Sequence, residues 1–458
     1  MMMSIARQWA DYAVRLRYED LSAEAVYAAK LFLLDSLGCA LGGAKTEDFR
    51  LLCEVAMELG GRPECTVIGA DLRADCRQAT LINAVAIRAL DYNDVYWRQD
   101  PSHPSDLLPA AFTVGEREKR SGKDLLTAIV IAYELEMRMC EAARPGIREL
   151  GWHHATLTQF VAPVVAGKML GLDREQMINA IGIGGAHNAT LGAVTAGSLT
   201  MMKNTVDPMA VESGVMAALM ARRGYRGPET IFEGREGLFS SLGEEWDGER
   251  LVAGLGDGFK IAQCSIKLYP SEALTHTPIS ATLDLVREHD LSPEQIERIE
   301  VHTLRRAAEI LADPAKYEID SRETADHSLP YCIAAAVVER ELTPRQFAPD
   351  KLRDLRILEL VSKVVAVLEP SFEARFPEEQ PSRVRIILRD GRALERERRF
   401  PKGDPRDPLR RDEIQKKFEQ LAEGVISADA QRALFDAIDS LETLEDVGAL
   451  MRLLARST

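Results

Sequence analysis

The chain has 458 residues, 46% hydrophobic and 6% aromatic, and a formal net charge of −15. That length exceeds one simple core, so two or three domains with aliphatic, alanine-rich interiors are expected. The acidic balance disfavours nucleic acid or an anionic membrane as partner, yet leaves an anionic small molecule open, because charges beyond about 8 Å are largely screened at physiological salt.

Up to about residue 262 the pattern reads as almost continuous helix. Residues 25–41 carry apolar side chains at helical spacing and end at Gly42-Gly43, a C-cap signal. Leu90-Asp91-Tyr92-Asn93-Asp94 then precedes Pro101-Ser102-His103-Pro104-Ser105-Asp106. Proline holds φ near −65° and biases the residue before it, so His103 has little backbone freedom beside several carboxylates. Ser105 or Asp106 is placed to cap a helix starting at Leu107. Further helices are expected over 125–142, after Ser121, and over 158–170, ending at Gly171. The glycine-rich stretch 178–198 follows a helical pattern rather than a strand, and no Gly-Lys-Ser/Thr comes after it. Close helix packing is therefore expected there, not a phosphate loop. Asp207-Pro208 reads as an N-cap and first helical residue of a helix running to Arg223-Gly224.

The character changes after Cys264. Residues 296–302 and 383–388 alternate as strands, the second before the turn signal Asp390-Gly391. Helices are expected between them, over 331–339 and 352–366. Pro401-Lys402-Gly403-Asp404-Pro405 closes this unit, and the last fifty or so residues return to amphipathic helix. The fold class is thus mainly α: a large helical domain formed by both chain ends, 1–262 and 405–458, interrupted by a smaller α+β domain over 263–404.

Seven cysteines (Cys39, Cys53, Cys65, Cys76, Cys140, Cys264, Cys332) form no C-x-x-C pair, and no H-E-x-x-H occurs. No disulfide framework, metal centre or other cofactor is expected. No apolar run reaches the roughly 18–20 residues of a bilayer span. With no signal-type apolar block at the start, a cytoplasmic protein is expected.

Five places combine imidazole or charge with glycine or proline punctuation: the Asp91–His103 region; Gly151-Trp152-His153-His154; Met201-Met202-Lys203-Asn204; Lys267 through Glu272 to His276; and Asp326-His327-Ser328. Taken singly, each has an ordinary reading. Lys203 would snorkel to solvent, His154 would be the exposed member of its pair, and His327 would cap the helix at Tyr331. His289 and His302 read as a surface residue and a strand residue.

In their order along the chain, these segments resemble the MmgE/PrpD family. The matching residues also include Leu34-Asp35-Ser36-Leu37-Gly38-Cys39-Ala40, Arg222-Arg223-Gly224-Tyr225, Glu233-Gly234-Arg235-Glu236-Gly237 and Ala325 to Tyr331. The resemblance implies a metal-free homodimer in which the smaller α+β domain acts as a lid over an active site between domains. Asp91, His103, His153 and Lys203 fall on catalytic positions, and Asn93, Lys267, Glu272 and His276 on substrate-binding ones. Glu272 stands where decarboxylase-like members have His and dehydratase-like members can carry Glu. Two segments depart from the family pattern: Asn93-Asp94-Val95, and Lys203-Asn204-Thr205-Val206-Asp207-Pro208.

The chemistry so implied is proton removal next to a carboxylate, with Lys203 and Lys267 stabilising the carbanion. His103 and His153 would share the acid and base roles, and Asp91 would orient one of them. The expected activity is a metal-independent hydro-lyase for a branched di- or tricarboxylate, with 2-methylcitrate leading. The alternatives are an epimerase, a decarboxylase, or a non-catalytic carboxylate-binding member. As a long surface-type side chain, Lys203 should be replaceable by alanine with loss of turnover and no loss of fold.

Overall fold

The computed structural model describes residues 3–197, 199–243 and 245–456. Ser198, the last residue of the glycine-rich stretch, lies outside them. Helix makes up 58% and strand 9%, so the mainly α expectation holds. Short polar side chains start the helices. Ser22 caps Ala23–Gly43, Thr46 caps Glu47–Leu59, Asp75 caps Cys76–Arg88, and Ser121 with Asp124 forms a capping box on Gly122–Ala142.

Ala23–Gly43 is long and apolar enough to cross a bilayer by length and composition, which corrects the expectation that no segment is. Here its surface is mostly buried, packed against Cys76–Arg88 and the late helix Arg411–Ala422. A β-carbon at Gly43 would stand 1.9 Å from the carbonyl oxygen of Ala86, so only glycine permits this crossing. Gly43→Ala is expected to cost about 1–3 kcal/mol in urea denaturation. The crossing lies just before Arg88 and Asp91, so the same strain would reach the site below.

The expected Asp207 N-cap is not formed. The helix is Val206–Arg222, Thr205 takes the cap position, and Asp207 sits inside the first turn, where its buried carboxylate faces His154. Ser105 and Asp106 do not cap either. A 3₁₀ turn, Pro104–Leu107, leads into Leu108–Glu118, and Asp106 accepts from the Asn93 side chain instead.

The later segment builds a four-stranded sheet in the order Ala393–Arg398, Ser382–Leu388, Ile296–Thr303, Val364–Leu368. The first three are antiparallel and the last pairs parallel, from Ile299 opposite Val364 to Thr303 opposite Leu368. The helix expected over 352–366 is therefore corrected: it covers only Leu355–Val361, and Val364-Val365-Ala366-Val367 goes into the sheet. Branched residues suit a pleated surface, and a partner strand decides between the two states. Strand Ala393–Arg398, alternating exposed and half-buried, was not anticipated because its sequence is mostly charged. Helices His276–Glu288 and Leu329–Glu339 pack beside this sheet.

Two apolar clusters dominate the interior. One draws on residues 5–266 and 409–454, the other on Trp97 and residues 269–388. Where the chain passes between them, the Ile266 N–H donates to the Gly403 carbonyl at 3.1 Å. Gly403 has φ +98°, and a β-carbon there would lie 1.8 Å from the Ile266 carbonyl oxygen. The outgoing and returning strands of chain are pinned at one point, and the candidate site lies alongside it.

Candidate active site

Asp91 follows helix Cys76–Arg88 with φ +47°, a left-handed conformation uncommon for a residue with a side chain and often retained at functional positions. Its carboxylate is a hub. Lys203 Nζ lies 3.0 Å from Oδ2, Arg88 Nη1 donates to Oδ1 at 3.3 Å, and Lys267 is ion-paired with Oδ1. Lys267 also donates to the Asp91 carbonyl at 3.2 Å. Lys203 reaches a second carboxylate, Asp326, at 3.2 Å, and Asp326 meets His327 Nδ1 at 2.5 Å. Burial opposes the charge on Asp91, but Lys203, Lys267 and Arg88 outweigh it and hold the carboxyl well below its ordinary range. Burial also lowers Lys267, with Asp91 acting against that shift.

A third buried ammonium secures this geometry from behind. Lys417, on helix Arg411–Ala422, donates to the carbonyls of Tyr92 at 2.7 Å and Lys267 at 2.9 Å, and pairs with Asp35 at 2.7 Å. It also lies 3.8 Å from the centre of the Tyr92 ring. The Asp35 segment and the C-terminal helices thus hold the residues beside Asp91 in place.

The histidines form a row. His103 Nδ1 lies 2.6 Å from the Asp94 carbonyl, which can only accept, so this nitrogen carries the proton and Nε2 keeps a lone pair in the neutral ring. Burial, with Arg88 and Lys267 nearby, pushes His103 well below its ordinary pKa. His153 Nδ1 accepts from the Ala155 N–H at 3.2 Å, which leaves the proton of its neutral ring on Nε2, a buried atom with no partner among the described residues. Burial and the adjacent His154 lower its pKa as well. His154 is buried, not exposed as expected. Its ring centre lies 3.9 Å from that of His153 and 5.5 Å from that of His103, and Nε2 is 3.4 Å from Asp207.

Glu272 begins a short 3₁₀ turn, its Oε2 accepting from the Leu274 N–H at 2.7 Å. Desolvation pushes its carboxyl up to about 7, with Lys267 and Arg148 opposing. These groups meet at a cavity of about 40 Å³ whose walls include Asp91, His103, Arg148, His153, Lys267 and Glu272. Lys203 stands one contact behind the wall, through Asp91. Asn93 does not reach the cavity. Its amide donates to Ser105 Oγ at 2.9 Å and Asp106 Oδ1 at 3.0 Å. His276 lines a neighbouring cavity of about 210 Å³ that shares Val95, Trp97, Lys267 and Ala273 with the first. A larger cavity of about 880 Å³, reached by Leu90 and Tyr92, has none of Asp91, His103, His153 or Glu272 on its walls.

Two further ordinary readings are overturned. Lys203 is fully buried rather than snorkelling, because two carboxylates compensate it. His327 does not cap the following helix; Ser328 does, accepting from the Tyr331 N–H at 3.1 Å, while His327 faces Asp326 and Asp91. Asp91 holds cations, and main-chain groups orient His103 and His153. Arg88, Arg148 and Asp207 went unassigned in the sequence. Arg88 lies within the helical part of the sequence, Arg148 in a short stretch between Pro145-Gly146 and Gly151 with no imidazole of its own, and Asp207 looked like a cap.

Among the described residues two groups could hold a divalent cation by geometry: Asp91 with Asp326 and His327, and His153 with His154 and Asp207. The first already encloses the Lys203 ammonium. In the second, His153 Nδ1 is committed to a backbone N–H, and the field of Arg88 acts on both His153 and Asp207.

A helical body, a second sheet-containing core, and a buried histidine, lysine and carboxylate cluster beside their junction define the class: a mainly helical protein that gathers buried titratable side chains around one small cavity. Residues 7–250 match the MmgE/PrpD N-terminal domain and residues 269–443 the MmgE/PrpD C-terminal domain, and the chain belongs to the MmgE/PrpD family. Its relatives are enzymes. The cis-aconitate decarboxylase of Aspergillus terreus is 26% identical over 473 residues, covering 97% of this chain and 94% of its own. That of Mus musculus is 26% identical over 477 residues, covering 99% and 94%. The 2-methylcitrate dehydratase of Escherichia coli is 26% identical over 386 residues, covering 80% and 78%.

Proposed function

We propose that this chain is a metal-independent hydro-lyase that dehydrates a branched di- or tricarboxylate, 2-methylcitrate or a close analogue. The reading is carried by one pairing on the walls of a single cavity: His103, with a free Nε2 lone pair, and Glu272, a carboxyl half-protonated at about pH 7. His103 takes the proton from carbon next to a substrate carboxylate. The electrons of that C–H bond form the carbon–carbon double bond, and the C–O bond breaks. Glu272 passes its proton to the departing hydroxyl, which leaves as water. The His153 Nε2–H and the Lys267 ammonium stabilise the charge that spreads onto the carboxylate oxygens, each well-aimed donor contributing about 3–4 kcal/mol. A cavity of 40 Å³ has room for only a few waters. A tricarboxylate therefore needs the shared wall at Trp97, Lys267 and Ala273 to part and join it to the 210 Å³ cavity.

Decarboxylation of a cis-aconitate-like acid is the second reading. It is favoured by the decarboxylase relatives, which match 97% and 99% of this chain where the dehydratase matches 80%. Purified, chelator-treated protein incubated with 2-methylcitrate, citrate and cis-aconitate separates the two. Absorbance of a conjugated product without gas release supports dehydration, and CO₂ from cis-aconitate supports decarboxylation. Absence of both across the panel would remove the lyase reading.

A further inference from the structure

Most cations around the cavity have a carboxylate partner, and the exception is informative. Lys203, Lys267 and Arg88 are all within ion-pair distance of Asp91, and Lys203 also of Asp326. Those cations are already shared with protein carboxylates. Arg148 is different. It sits in the 3₁₀ turn Ile147–Leu150, anchored by its own backbone N–H to Asp100 Oδ1 at 3.0 Å, with the Ile147 N–H on Oδ2 at 2.9 Å. Its side chain makes no hydrogen bond or ion pair among the described residues, although its field reaches both Glu272 and His153. The neighbouring Arg306 is spoken for, paired with Glu149 and lying over the Trp97 ring at 5.6 Å.

Resting on the reading of this cavity as a carboxylate-processing active site, we propose that Arg148 is the receptor for a second substrate carboxylate and so the residue that restricts the enzyme to polycarboxylates. A guanidinium fork matches a carboxylate in two parallel hydrogen bonds, which fixes orientation as well as charge. Asp100 holds the backbone of this turn, and Arg148 lines the same cavity as His103, Lys267 and Glu272. One substrate carboxylate then lies at Lys267 and His153, beside the carbon that loses its proton, and the other lies at Arg148. A monocarboxylate would satisfy only the first.

Tricarballylate, a tricarboxylate with neither hydroxyl nor double bond, is titrated calorimetrically into the full-length wild type, Arg148→Gln and Arg148→Lys. Butyrate serves as the monocarboxylate control. Because the Arg148 side chain has no hydrogen-bond or ion-pair partner among the described residues, both variants should melt like the wild type, and the melting curve checks this. The expected result is a Kd for tricarballylate weakened about 10- to 100-fold in the Gln variant, with partial recovery in the Lys variant. Butyrate binding should be weak and equal in all three. Equal tricarballylate affinity in wild type and Gln variant overturns the proposal, as does a wild type that binds no tricarboxylate. The lyase reading fails separately: Arg148-dependent tricarballylate binding without turnover of any acid sinks that reading and leaves this one standing. Turnover with the Michaelis constant unchanged in Arg148→Gln does the reverse.

Discussion

Lys203→Ala is expected to lose about 3–5 kcal/mol of folding stability at neutral pH, the usual consequence of removing one partner from a buried ion pair. The ammonium is fully buried between Asp91 Oδ2 at 3.0 Å and Asp326 Oδ1 at 3.2 Å, so its removal leaves two buried carboxylates short of positive charge. Asp91 keeps Lys267 and Arg88, whereas Asp326 is left with His327 as its near partner. This replaces the sequence-based expectation of an intact fold. In the wild type both carboxyls sit below the ordinary Asp value of 3.8, so their stabilising contribution is present above that value and fades as pH falls through the native one. Without the lysine the carboxyls should take up protons more readily, and the gap between variant and wild type should narrow as pH falls toward 4. Urea denaturation at pH 7 and at pH 4.5 measures both effects. Equal midpoints at pH 7 would show that Lys203 does not carry this load.

Glu272→Gln is expected to lower kcat by about 10²- to 10⁴-fold, the usual range for loss of a general acid, and to remove an alkaline limb from the pH profile. Glu272 must be protonated to act, and its carboxyl is pushed up to about 7. Wild-type activity should therefore fall about tenfold per unit above pH 7, where the acid form is progressively lost. His103 is held well below its ordinary 6.5, so the base stays unprotonated on the mildly acidic side, and activity there should be level. The stability effect has the opposite origin. A carboxyl whose native pKa is raised contributes below its unfolded value of 4.5, and that contribution is lost as pH rises toward 7. The glutamine variant should lose less stability than the wild type between pH 5 and pH 8. An active variant with the alkaline limb unchanged would assign the acid role elsewhere, with the His153 Nε2–H the next donor on the cavity wall.

Much of this site was legible in the sequence, for reasons that can be named. His103 between two prolines, Gly-Trp-His before a helix, and Lys267 near the change in character at Cys264 stand at breaks in regular structure, where side chains tend to be held for chemistry. The relations among them were not legible. That Asp91 gathers Lys203 and Lys267 depends on residues 112 and 176 positions away meeting across the boundary of two cores, as the ion pairs record. The commitment of Asn93 to Ser105 and Asp106, and the turn of His276 toward the neighbouring cavity, depend on packing. No local pattern encodes it.

By itself the amino-acid order determined the mainly helical character, the change after Cys264, some helix starts such as that at Ser121, and the family to which the chain belongs. Apolar periodicity, capping residues and punctuation are local quantities, legible within one or two turns. Only the tertiary structure decided which polar residues are buried, and therefore which are charged. Lys203, His154 and Asp207 looked ordinary in sequence and proved wholly enclosed, because the free energy of a buried charge is set by partners brought from distant segments. The same dependence on partners placed Val364–Leu368 in a sheet rather than a helix, and left Arg148 on the cavity wall without a side-chain partner among the described residues.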